Sequence, residues 1–148
     1  MRKKTKIVLL TLAALFIVIQ FFQPERTNPP SDPAASFEAV VKPPPQVAAV
    51  VERACQDCHS NRTVWPWYNR VAPASWLLAY DVKHARRNIN LSEWGKMSPA
   101  RSQEALGDMC DEVKAGEMPL WQYKLMHSSA ARLTPADVAA ICSLSAAK

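Results

Sequence analysis

Glycine is almost missing from this chain: Gly95, Gly107 and Gly116 are the only three in 148 residues. With so little glycine and few alternations of apolar and polar residues, the sequence lacks the turns and half-buried strands of a β protein. Internal repeats are absent. So is a basic surface: of 18 Lys and Arg, four lie in the first six residues, leaving 14 against 13 acids. That balance excludes a nucleic-acid role resting on a basic patch. A second closely spaced cysteine pair is missing too. Cys110 and Cys142 are neither adjacent nor flanked by histidines at ligand spacing, which weighs against structural zinc.

What the chain does have begins at the N-terminus. Arg2, Lys3, Lys4 and Lys6 precede Ile7 to Phe22, a run broken only by Thr11 and Gln20. Such a stretch is an export signal or a membrane anchor. Its apolar part is slightly short against the roughly 20 residues of a transmembrane helix, yet within reach of a thin bilayer. No small-x-small site follows promptly, and the first candidate, around Ala34 to Ser36, lies too far on. Residues 1–23 are therefore expected to be an uncleaved transmembrane helix rather than a removed signal peptide. No cysteine follows the run to take a lipid. The leading cations keep the N-terminus in the cytoplasm and send the remainder across, so the working domain is expected on the periplasmic side of a bacterial inner membrane. Residues 24–46 hold seven of the 12 prolines. The segment 24–44 is accordingly expected to be an extended linker holding a domain, residues 45–148, off the membrane.

Cys55-Gln56-Asp57-Cys58-His59 is a C-x-x-C-H run, the attachment signature of c-type haem. Two thiols three residues apart lie on one side of a helical turn, where each can add to a neighbouring vinyl group, and His59 is carried to the iron as an axial ligand. A thioredoxin-like redox dithiol is the main alternative, but it needs a preceding strand, and Val47 to Ala54 look helical.

The remainder reads as an all-α domain. A first helix is expected from Pro45 or Gln46 through the two cysteines, with Val47, Val50, Val51 and Ala54 as its apolar stripe. Pro66 and Pro73 preclude a long helix over the aromatic segment Trp65 to Trp76. Ser75 is expected to cap a helix over Trp76 to Asn88, with Leu77, Tyr80 and Val82 or His84 on its apolar face. Ile89 to Trp94 reads as a turn. Ser98-Pro99 starts a helix over 99–115, and Gly116 stops it. Thr134-Pro135-Ala136-Asp137 starts the last helix with a capping box. Cys110 and Cys142 then lie one on each of the last two long helices. An even cysteine count and an oxidising compartment predict a disulfide between them, with two buried free thiols as the alternative.

Haem iron in an electron carrier normally has a second protein ligand, and methionine opposite histidine raises the potential. The candidates are Met97, Met109, Met118, Met126, His84 and His127. Met118 is favoured by its place in Gly116-Glu117-Met118-Pro119, after a helix stop, in a loop that proline stiffens. Met109 sits on a helix face, where methionine is more often core filler. Trp65, Trp67, Tyr68, Trp76, Trp94 and Trp121 could wrap a flat apolar macrocycle. Arg62 and Arg70 are candidates for pairing with its propionates, with solvated surface arginine as the alternative.

The run Cys55 to His59, then Ser60-Asn61-Arg62-Thr63-Val64-Trp65-Pro66-Trp67-Tyr68, Val71-Ala72-Pro73, Ser75-Trp76, Ser92-Glu93-Trp94 and Gly116-Glu117-Met118-Pro119-Leu120 together resemble the bacterial haem-binding domain family. Its members are small exported proteins with one C-x-x-C-H and a W-P-W-Y segment. The resemblance covers about residues 40 to 145 and extends to Arg26-Thr27-Asn28-Pro29-Pro30. It implies a cytochrome c-like helical domain carrying one haem c at Cys55, Cys58 and His59. It implies no particular reaction, and Cys110 with Cys142 looks like a subgroup feature. The expectation is a membrane-anchored monohaem carrier of single electrons whose partner is another redox protein in the same membrane, rather than an enzyme. The rival is a haem-based sensor or peroxidase-like protein with a labile sixth position, although no distal His-Arg pair at recognisable spacing supports peroxidase chemistry.

Overall fold

The structure, a computed structural model, describes residues 2–146. Among them are nine α-helices and three 3₁₀ turns, and no strand. In chain order the helices are α1 (Lys3–Ile19), α2 (Phe37–Val41), α3 (Pro45–Ala54), α4 (Gln56–His59), α5 (Ala74–Asn88), α6 (Pro99–Ala115), α7 (Trp121–Met126), α8 (Ser128–Ala131) and α9 (Pro135–Ala146). The 3₁₀ turns are Pro33–Ala35, Trp67–Arg70 and Leu91–Lys96.

Start and stop residues explain most of these bounds. Proline is the first helical residue of α3, α6 and α9, where its missing N–H costs nothing. The Ser98 hydroxyl accepts from the Arg101 N–H at 3.3 Å, and Gly116 closes α6 in the left-handed region at φ 76°, as its lack of Cβ allows. At α9 the capping box is reciprocal. The Thr134 N–H donates to Asp137 Oδ2 at 2.8 Å and the Asp137 N–H donates to Thr134 Oγ1 at 3.2 Å. Arg53 of α3 adds an ion pair to the same carboxylate at 2.7 Å. These hydrogen bonds hold the Asp137 carboxyl below its ordinary pKa.

Two expected starts are corrected. The helix expected to run unbroken through the cysteines divides at Cys55, whose backbone (φ −121°, ψ −35°) leaves the helical region between α3 and α4. Ser75 does not cap α5. The helix begins two residues before the expected Trp76, at Ala74, behind Pro73, and Ser75 is buried in its first turn. Of the apolar face expected for this helix, Val82 is buried as expected, whereas Leu77 and Tyr80 are exposed, and Ala85 is buried with Val82.

The proline-rich segment is not a free tether. Phe37 of α2 is 0 % exposed and meets Trp94, 1 % exposed, edge to face with ring centroids 4.9 Å apart. Both belong to a core cluster with Val47, Val51, Leu91, Ala105, Leu106 and Leu144. Seven prolines signalled an extended chain, but one phenylalanine inside a five-residue helix finds enough apolar surface to order it. A second cluster joins Val50, Val113 and Ile141, with Met109 and Met118 packed against it.

The core helices α6 and α9 are joined covalently, because Cys110 and Cys142 form a disulfide across Cα atoms 4.6 Å apart. The bridge closes a loop of 32 residues, so its reduction is expected to lower stability by about 3–4 kcal/mol in the chain-entropy picture. Denaturation with and without reductant measures that loss. Free alkylation of both thiols in the unreduced native protein would contradict the bridge.

At the N-terminus, α1 has no buried residue. Among the described residues no helix is long and apolar enough to cross a membrane, so the expected transmembrane helix has no support from helix length.

Candidate functional site

The site grows from the break at Cys55. Because α4 is a single turn hung on that break, Cys58 and His59 project from a short helix packed against α5. The His59 ring is half-buried, and its Nδ1 lies 3.1 Å from the Ile89 carbonyl oxygen. A carbonyl can only accept, so Nδ1 carries the proton and Nε2 keeps its lone pair free. Burial also lowers the His59 pKa, while hydrogen bonds to the Ile89 and Ala85 carbonyls oppose that shift. The result is a neutral imidazole oriented by its backbone bond, the arrangement a metal-ligating histidine needs.

Both Cys55 and Cys58 are free thiols. Burial pushes each up to about 12, and at Cys58 the carboxylates of Asp57 and Asp81 add to the rise. A redox dithiol works through a thiolate of lowered pKa. Among the described residues no strand precedes these cysteines, and a strand is the context that the thioredoxin-like reading needs. Among the described residues no three His, Cys, Asp or Glu side chains are grouped as they would be around a metal ion.

Two cavities meet at this point. The first, about 460 Å³, is walled by Cys58 and His59, by Leu77, Tyr80 and Ala85 of α5, and by Met118 to Tyr123 with Leu125 and Met126. The second, about 270 Å³, is walled by Cys55 and His59, by Met109 and Val113 of α6, and by Met118 and Ile141. Three residues line both: His59, Asn88 and Met118. Their combined space is of the size and apolar character of cofactor sites. A flat apolar group spanning them would have one cysteine on each side and a histidine and a methionine in reach. The donor set fits haem.

Met118 owes its place to the end of α6. Past Gly116 the N–H groups of Glu117 and Met118 both bond back to the Glu112 carbonyl, at 3.1 and 3.2 Å, which turns the chain so that the side chain packs beside Val113 and Ile141. Of the other candidate ligands, Met109 lines only the second cavity, while Met126 and His84 line only the first. His127 stacks on Tyr123 at 4.3 Å and borders a small separate cavity. Met97 packs against the Phe37 cluster.

Most of the residues expected to pack on the cofactor or its propionates are placed elsewhere. Trp67 is 76 % exposed, and Trp65 faces a third cavity with Trp76 and Arg86. Arg62 pairs with Glu38 at 3.0 Å, and Arg70 is exposed on the turn Trp67–Arg70. None of these four lines either central cavity. Trp94 belongs to the core. Tyr68 and Trp121 do line the first cavity.

Sequence reasoning missed Gln122, Tyr123 and Arg101, and it placed Tyr80 on a helix face without assigning it to the site. Tyr123 donates its hydroxyl to Asp57 Oδ2 at 2.9 Å, and Gln122 donates to Asp81 at 3.0 Å. Both bonds fasten α7 over the first cavity, and burial raises the Tyr123 pKa. Arg101 enters the second cavity wall while paired to Glu104 and Asp108. Only the nearness of Gln122 and Tyr123 to Met118 in sequence could have signalled them. Arg101 carries no such signal.

No curated protein and no solved structure matches the chain significantly. The haem-binding domain family matches residues 14–146, a span that takes in part of α1, the whole proline-rich segment and every residue lining the two cavities. The chain belongs to the haem-binding domain family.

Proposed function

We propose that the protein is a monohaem c-type electron carrier in which Cys55 and Cys58 would hold haem through thioethers while His59 and Met118 would ligate its iron. The observation that carries this reading is that His59 and Met118 line both cavities, with Cys58 on the wall of one and Cys55 on the wall of the other. Haem, when bound, supplies the single-electron couple. The chain's own residues fix its surroundings. His59 offers Nε2 because Ile89 holds Nδ1, and Met118 offers a thioether that favours the reduced state. Leu77, Leu78, Ile89 and Val113 exclude water, which lowers the local dielectric and limits solvent rearrangement during transfer.

The membrane reading rests on α1. Its 17 residues rise about 26 Å, a few Å short of the ~30 Å hydrocarbon core. Local thinning and outward reach of Lys3, Lys4 and Lys6 can cover such a mismatch at a fraction of a kcal/mol per Å. From Ile7 to Ile19 the helix is apolar on every side apart from Thr11. It is thus unlike an amphipathic helix that lies along a surface. With the cationic end in the cytoplasm, the domain stands on the other side, where another redox protein of that membrane is its partner.

A redox titration with optical spectra, repeated under carbon monoxide, tests the carrier reading. A low-spin haem with a reversible couple and no carbon monoxide adduct is expected. Rapid adduct formation by the native reduced protein would favour a sensor or ligand-binding role.

A further inference from the structure

We infer that the folded domain lies directly on the bilayer, with the turn Trp67–Arg70 and Val71 against the lipid headgroups, held there by hydrogen bonds to the outer end of α1. This rests on the anchor reading above and adds to it a fixed pose and a contact surface.

Gln20, one residue past α1, is bonded at both ends of its carboxamide. Its Oε1 accepts from the Ala72 N–H at 2.8 Å and its Nε2 donates to the Ala72 carbonyl at 3.2 Å. The next residues continue the clip. Trp76 Nε1 donates to the Phe22 carbonyl, Arg26 donates to the Asn69 carbonyl at 2.7 Å, and Asn28 donates to the Thr63 carbonyl at 2.9 Å. Arg86 closes it by donating to the Thr27 carbonyl and Asn28 Oδ1, at 2.8 and 2.9 Å. A chain bonded at five places within nine residues has no slack to hold the domain away from the end of its helix.

The surface beside the clip suits a bilayer interface. Phe21 and Phe22 are 82 % and 68 % exposed and continue the apolar surface of α1. Trp67 and Val71 are exposed on the turn that Gln20 and Arg26 grip, and Arg70 between them makes no ion pair among the described residues. Aromatic rings at the headgroup level with an arginine able to meet phosphate are the composition of a membrane contact. Ala74 and Leu77, which follow directly, line the first cavity, so the contact also holds the candidate cofactor site near the bilayer.

The test uses the full haem-loaded chain in vesicles of phosphatidylethanolamine and phosphatidylglycerol, with p-benzoylphenylalanine placed in turn at positions 67, 71 and, on α6, 111. After irradiation, positions 67 and 71 are expected to capture several-fold more phospholipid than position 111. The double variant Gln20→Ala with Trp76→Phe is expected to bring that capture down toward the level at 111. Equal capture at all three positions in protein that resists alkaline carbonate extraction overturns the inference and leaves the anchor standing. Capture unchanged by the double variant overturns it as well. Protein that washes off in carbonate overturns the anchor and, with it, the inference.

Discussion

Met118→Ala is expected to leave haem attached to the chain and to open the reduced protein to carbon monoxide. The potential is expected to fall by at least about 60 mV, the shift of a tenfold change in a one-electron equilibrium. The two effects have one cause. Met118 lines both cavities, and its removal takes away a thioether that no neighbour replaces from the same place. Met109 and Met126 each reach a single cavity, so Met109→Ala and Met126→Ala should retain the closed spectrum. Optical spectra under carbon monoxide and a potentiometric titration of the three variants check this. If Met118→Ala keeps both its spectrum and its potential, the sixth ligand lies elsewhere.

A second large effect is expected far from the cavities. Phe37→Ala should destabilise the protein by about 3–5 kcal/mol, the range for removing a buried aromatic ring. The ring is fully enclosed, packs edge to face on Trp94, and sits among residues from α3, α6 and α9. Were residues 24–44 a passive spacer, the same substitution would cost next to nothing. Chemical denaturation of the haem-loaded protein separates the two outcomes, and Val40→Ala, at an exposed position of the same helix, serves as the comparison.

How much could be read in advance varied with the kind of signal. The helices with chemical punctuation were legible: Ser98-Pro99 with Gly116 delimited α6, and the Thr134–Asp137 box began α9. The grouping of Cys55, Cys58 and His59 was legible because they are close neighbours in sequence, and the structure keeps them together around the break between α3 and α4. The disulfide followed from count and compartment. What could not be read were contacts set by tertiary packing. Ala74 and Pro73 begin α5 without any side-chain cap, so no residue marked the start. Phe37 carried no periodicity because α2 has only five residues. Trp67 and Arg70 looked suited to a macrocycle by type alone, yet on the turn that Arg26 grips these two side chains are exposed.

The most direct measurement is the intact mass and alkaline pyridine spectrum of the full chain made in a host competent for cytochrome maturation. The protein is expected to be coloured, to weigh one haem more than its polypeptide, and to keep that mass after acid-acetone extraction. Cys55→Ala combined with Cys58→Ala should abolish the covalent adduct. A colourless wild-type product with the mass of the bare polypeptide would contradict haem attachment at Cys55 and Cys58.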